Sequence, residues 1–231
     1  MVLLPGVGGH AGEFGPLIDA LDLGPALRVL AVDPPAAAIG LDAQAREVVA
    51  GAGPGPHVVL GHSQGGLTAL RMAAMYPEAV AAVVVLDSPV LVPRVARTLL
   101  GGVLRAVPSA WWPALTRCSM RATFDRADDE RFRSEVLRRL AETDRAVMGG
   151  LVRDTFTHDG QRALTELRVP GLYVRANIPT PLHRLPAGIA TADVRGVGHL
   201  AHVHRPHEVA AAVHAFFASL RADGTPSAVD A

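Results

Sequence analysis

Apolar and polar positions follow one another along this chain in two rhythms. Short unbroken apolar runs predict strands at 2–4, 28–32, 57–60, 83–86, 171–174 and 192–196, since runs of this kind suit strands buried on both faces. Between them apolar residues recur every three or four positions, which predicts helices over 14–21, 42–50, 64–75 and 206–220. In the last of these Val209, Val213, Phe216 and Leu220 share the face that should pack on a sheet. Such alternation predicts an α/β fold, a mostly parallel central sheet with helices on both faces. The alternation stops between Asp87 and Val169. That stretch holds both tryptophans, several Arg-rich helical patterns and no clear strand. A segment of this length inside a sheet protein reads as an inserted helical cap rather than a loop. The expected division is therefore a core of 1–88 and 169–221, a cap of 89–168, and a small, polar, flexible tail at 222–231.

Composition narrows the classes. With 49% hydrophobic and 19% charged residues the chain should fold, and 231 residues suffice for one well-buried domain with an insertion. Its formal charge is zero and it holds no basic run, so neither nucleic acid nor an anionic membrane is an expected partner. The lone cysteine, Cys118, has no partner for an internal disulfide and is read as packing. MVLLPG lacks the charged flank and length of a signal peptide, and arginine, glycine or proline interrupts every apolar stretch. The expectation is a cytoplasmic protein.

Candidate chemistry gathers at "VVLGHSQGGLTAL", where an apolar run meets a helical pattern around a serine. Gly61-His62-Ser63-Gln64-Gly65 fits G-x-S-x-G between a buried-type strand and a helix. A sharp strand-to-helix turn would expose the Ser63 hydroxyl above the sheet, and side chains two residues to either side would collide. A hydroxyl is a poor nucleophile at neutral pH and needs a base. His199, in "RGVGHLAHV" between the last strand and the last helix, stands at the same carboxyl edge and has a suitable imidazole. His62 is adjacent to Ser63 and points the wrong way for that role. His202, His204, His207 and His214 are expected to be solvated. An oxyanion needs pre-aimed donors. The backbone N–H of Gln64 heads a helix, and a second donor should come from the glycine-rich loop "LLPGVGGHAG", with Val7 the natural candidate. No metal constellation stands out, and no cofactor is expected.

The stretches "LLPGVGG", "VLAVDPP", "LGHSQGG", "MYPEAVAAVVVLDSP" and "GVGHLAHVHRPHEVAAAVHAFF" together make the chain resemble an α/β-hydrolase fold protein over most of its length. The resemblance implies a Ser-Asp-His order and an esterase, thioesterase, lipase or C–C bond hydrolase activity. The match starts at what would be the family's third strand, so the sheet is expected to be shortened at the N-terminus. Pro5-Gly6 stands where many members have His-Gly, a variant closer to thioesterase-type members. Many members also carry their acid after the penultimate strand. Here "VPGLYVRA" runs into "NIPTPLHRL", where Asn177, Pro179 and Thr180 offer no carboxylate. Asp193 should lie too deep in the last strand, and Asp33 follows the second strand in a non-catalytic position. Asp87, ending the strand after the one that bears Ser63, is where some thioesterase and lipase members place the acid. Asp154 and Asp159 in the cap are the next candidates.

Two rivals remain at this stage. Gly6-Val7-Gly8-Gly9-His10-Ala11 followed by Asp33 fits a dinucleotide-binding fingerprint, weak in a chain with 23 glycines. The same scaffold could also serve a ligand-binding protein, or a cyclase or lyase of secondary metabolism. The expectation is a serine esterase or thioesterase acting on a small, apolar acyl substrate, with Ser63, His199 and Asp87 catalytic and the Gln64 and Val7 N–H groups as oxyanion hole. Trp111, Trp112, Met120 and Phe124 are large cap residues read as helix packing.

Overall fold

The computed structural model describes residues 1–24, 28–33, 38–124 and 130–222. Its sheet has six parallel strands: β1 (Val2–Leu4), β2 (Leu30–Ala31), β3 (His57–His62), β4 (Val80–Leu86), β5 (Gly171–Arg175) and β6 (Ile189–Asp193), in the spatial order β2-β1-β3-β4-β5-β6. Register places Val2 and Leu3 of β1 beside Val59 and Leu60 of β3, which is in turn paired with β4 from His57↔Val80 to His62↔Leu86. Parallel pairing sends the chain back across the sheet after each strand, so the carboxyl ends of the strands share one rim.

Side chains alternate across the sheet, and each face has its own core. Leu3, Leu60, Val84, Leu86 and Val174 pack against Phe14, Leu17, Val209, Val213 and Phe216, which come from α1 (Gly15–Leu21), the 3-10 turn Ala11–Phe14 before it, and α10 (Pro206–Ala222). Leu4, Val59, Val83, Val85 and Tyr173 face Leu41, Val48, Leu67 and Leu70 of α2 (Leu41–Ala52) and α3 (Gln64–Met75). Both faces are therefore covered, which is why the strands read as apolar runs rather than as alternating ones.

The strand predicted at 192–196 is displaced: β6 spans Ile189–Asp193. As the edge strand it leaves Ala190 and Thr191 exposed and needs no apolar run. Between β4 and β5 lie α4 (Arg94–Ala106), α5 (Trp112–Thr123), α6 (Glu130–Glu142), α7 (Arg145–Thr157) and α8 (Gly160–Thr165); α9 (Ala201–His204) follows β6. Trp112, Val136, Leu140 and Met148 form a small apolar cluster within this insertion, and Val7 of the core packs against it. Trp111 is mostly exposed, and Cys118, expected to be packed, is exposed as well. Among the described residues no helix is long and apolar enough to cross a membrane. Of the expected tail only Ala222, the last residue of α10, is described.

Candidate active site

β3 ends at His62, and α3 begins at Gln64, so one residue makes the whole turn. Ser63 takes φ 53° and ψ −121°, a conformation that costs a side-chain-bearing residue energy and persists only when its surroundings enforce it. They do so by crowding. A Cβ on Gly61 would collide with the Gly65 backbone, and one on Gly65 with the backbone of Leu4 and Pro5. A Cβ on Gly6 would come 3.0 Å from that of Ser63. The turn is also tied down. The Ser63 N–H donates to the Leu86 carbonyl at 2.8 Å, and Ser88 Oγ donates to the Ser63 carbonyl at 2.6 Å. Tyr173 spends its one phenolic proton on the Ser88 carbonyl at 2.7 Å, so Thr180 is the donor in their 2.8 Å contact. Burial pushes the Tyr173 phenol above its ordinary pKa.

Asp87 ends β4 with φ 45°, fully buried. Its Oδ1 accepts the N–H groups of Ala176 and Ile178, each at 2.9 Å, and its Oδ2 accepts that of Asn177 at 3.1 Å. His199 Nδ1 lies 2.7 Å from the same Oδ2. A carboxylate only accepts, so Nδ1 carries the proton and Nε2 keeps a lone pair. The loop after β5 thus brings no acid of its own but surrounds the one supplied by β4.

Ser63 and His199 both line a hollow of about 50 Å³, together with Gly6, Val7, Glu13, Met120, Phe124, Val136 and Leu200. Met120, Phe124 and Val136 come from the insertion between β4 and β5. On the other side of the Gly6–Gly9 loop a hollow of about 410 Å³ is lined by Val7, Gln64, Asp33, Arg139, Asp144 and Leu151, among others. A further hollow, of about 720 Å³, lies between α3 and α8 and includes neither Ser63 nor His199.

The other aspartates considered from the sequence are engaged elsewhere. Asp33 accepts the Ala11 N–H at 2.9 Å, bracing the glycine loop from the position where a ribose ligand had been conceivable. Asp193 pairs with Arg175 at 2.7 Å, and that guanidinium, with Arg195, holds its pKa well below the usual range. Asp154 accepts the Leu41 N–H, and Asp159 caps α8 and pairs with Arg97.

Two further histidines are buried beside the site, one of which, His202, was expected in solvent. His62 turns inward, buried, and its Nε2 lies 2.9 Å from the His199 carbonyl oxygen, a proton-free acceptor, so Nε2–H donates there. Burial, aided by the nearby His202 and His199, keeps its pKa well below the ordinary imidazole value. His202, expected in solvent, is fully buried against Phe14 with ring centroids 4.9 Å apart. It sits on α9, whose single turn swings it under the sheet rim. Glu13, His62 and His202 gather one possible ligand atom each within 4.8 Å, the group that the sequence concealed because its members lie far apart in the chain. Glu13 and the carbonyl-bracing Ser88 carried no recognisable signal.

The alpha/beta hydrolase family model matches residues 1–212. Among solved structures the chain is similar to the epoxide hydrolase CorEH (19% identity, 95% of this chain and 91% of that one, TM-score 0.70). It is also similar to olei00960, a hydrolase from Oleispira antarctica (13%, 93% and 89%, TM-score 0.72). A third is the enol-lactonase from Burkholderia xenovorans LB400 (17%, 94% and 90%, TM-score 0.65). No curated protein matches this chain by sequence. At such identities the likeness concerns the fold, and the proteins named act on different bonds.

Proposed function

The chain belongs to the α/β-hydrolase family, and from that premise we propose that it is a serine hydrolase cleaving a carboxylic ester or thioester through an acyl-enzyme on Ser63. The observation that carries this reading is the buried Asp87–His199 pair, 2.7 Å apart, at the rim where Ser63 is held in a strained turn. In this reading His199 Nε2 takes the Ser63 proton as Oγ attacks the carbonyl, and Asp87 stabilises the imidazolium that results. The Gln64 N–H, one of the first-turn donors that a helix leaves without an internal acceptor, and the Val7 N–H receive the oxyanion. His199 then protonates the leaving group, and water repeats the sequence to free Ser63. None of these steps uses a cofactor.

Residues 1–88 and 169–221 are read as the catalytic core and 89–168 as its cap. The apolar lining at Ser63 from Met120, Phe124, Val136 and Leu200 suits a short apolar acyl group. The larger hollow beyond the glycine loop, with Asp33, Arg139, Glu142 and Asp144 on its wall, suits a polar leaving portion. The substrate is thus a small molecule; the balanced charge of the chain supports neither nucleic acid nor a membrane surface as a partner. A fluorophosphonate probe should label Ser63 in the native protein and fail to label Ser63→Ala, while a panel of p-nitrophenyl esters and acyl thioesters identifies the preferred bond. Absence of labelling in a folded sample would overturn the hydrolase reading in favour of a binding protein or lyase on the same scaffold.

A further inference from the structure

Behind the serine, three segments distant in sequence meet at one buried point. The 3-10 turn Ala11–Phe14 brings Glu13, the end of β3 brings His62, and α9 brings His202; all three are at least nine-tenths buried. Glu13 Oε1 lies 3.2 Å from His202 Nε2 and 3.8 Å from His62 Nδ1. The chemistry of the second contact is unusual. Because His62 Nε2–H is committed to the His199 carbonyl, Nδ1 of the neutral ring presents a lone pair. That lone pair has no hydrogen-bond partner, and it faces a carboxylate oxygen. Two buried acceptors directed at one another repel unless a proton or a metal cation stands between them.

We propose that Glu13, His62 and His202 form a binding site for a divalent transition-metal ion of the zinc type. Two imidazole nitrogens and one carboxylate oxygen are a donor set that zinc accepts with a fourth position left open. Bonds of about 2.1 Å in a tetrahedron set ligand atoms about 3.4 Å apart. The 3.2 Å contact, in which His202 Nε2–H donates to Glu13 Oε1, has that spacing and would ligate once the ion displaced the proton to Nδ1; the 3.8 Å contact needs a small contraction, and all three ligand atoms lie within 4.8 Å of one another. Outer partners are in place for His62 and Glu13, whereas His202 Nδ1 has none. The His199 carbonyl fixes the His62 tautomer, and the His10 N–H donates to the second Glu13 oxygen at 3.2 Å. Glu13 and His62 also line the hollow beside Ser63, from which a water molecule would complete the coordination. The ion would tie the first loop, the serine turn and the segment after His199 to a single point.

The test uses the full chain, stripped of metal with a chelator and titrated with cobalt(II) and then zinc. The expected result is one cobalt per chain with the intense visible bands of a four-coordinate ion, displaced stoichiometrically by zinc, and a Tm that rises with zinc concentration. Glu13→Gln and His202→Gln, with folding checked by circular dichroism, should each weaken binding at least about a hundredfold. His207→Gln, at an exposed histidine, should leave it unchanged. Should either buried variant fail to fold, X-ray absorption on the zinc-loaded native protein decides, with two imidazoles and one carboxylate expected in the coordination shell. No stoichiometric uptake by the native chain at micromolar metal, undiminished uptake by folded Glu13→Gln and His202→Gln, or a different ligand set would each overturn the proposal.

Discussion

At the carboxyl rim of the sheet Asp87 is sealed from water and held by three backbone N–H groups and an imidazole. In the insertion above it, the charged groups hold one another instead. Arg138 bridges Glu135 and Glu142, Arg162 reaches Glu166, and all of them stand in solvent. The apolar side chains differ in the same way. Those of the central strands β1, β3 and β4 are enclosed, whereas Val95, Leu99 and Val103 of α4 are exposed. At the rim, geometry is set by backbone N–H groups of the loop that follows β5. In the insertion it is set by side chains whose exposed ion pairs contribute little. Asp87 and His199 are thus fixed independently of the ion pairs on the insertion's surface.

The most severe way to break that contrast is at the turn. Ser63→Ala should remove more than about ten-thousandfold of turnover while leaving the unfolding midpoint within experimental scatter, measured as ester hydrolysis and thermal melting on one sample. Asp87→Asn comes next, with a loss of at least about a hundredfold in kcat and little change in KM. An amide there turns one of its own donors toward the backbone N–H groups, so this variant should also be measurably less stable, by about 1–3 kcal/mol. Near-full activity in Asp87→Asn would mean that the imidazole works without its carboxylate.

Smaller effects separate the two regions further. Phe124→Ala and Met120→Ala should change the preference for acyl chain length by about tenfold, since each methylene seated against the cap contributes about 1 kcal/mol or more. Their rates on a small activated ester should barely move, and equal losses on short and long esters would show instead that these residues only hold the helices together. The Tyr173 phenol offers a pH test. Its pKa is raised by burial, so the folded protein keeps the proton that the unfolded chain releases near pH 10. Stability from this group is therefore intact below about pH 10 and declines as pH climbs toward the folded-state value. Urea midpoints across that range should fall, and fall less in Tyr173→Phe. The least effect is expected from Arg138→Ala, whose ion pairs are fully in water: no measurable change in Tm or turnover.

Sheet and serine turn were legible because their signals are local. Apolar runs mark β1, β3, β4 and β5, and glycines at 61 and 65 mark a turn that no side chain fits. Asp87 could be singled out because a strand end fixes which rim it occupies. The edge strand β6 was harder, since an edge needs no continuous apolar run. Within the insertion, helical periodicity revealed that helices exist but not that Met120 and Phe124 would reach the serine. His202 read as a loop residue until α9 placed it beneath the rim. Glu13 had no signal at all, because its meaning depends on a partner 189 positions away.

The glycine loop that carries Val7 is pinned from above. Gly8, at φ 76°, lies so close under Leu140 of α6 that a Cβ there would come within 2.5 Å of that side chain, and Val7 packs into the same apolar cluster. The loop is in effect a shared wall: core on one side, cap on the other. Force applied to the cap is therefore transmitted to the backbone beside the serine through direct contact, with no intervening flexible linker. The insertion and the Val7 backbone, the proposed oxyanion donor, therefore move together, and an engineer who shortens α6 changes both.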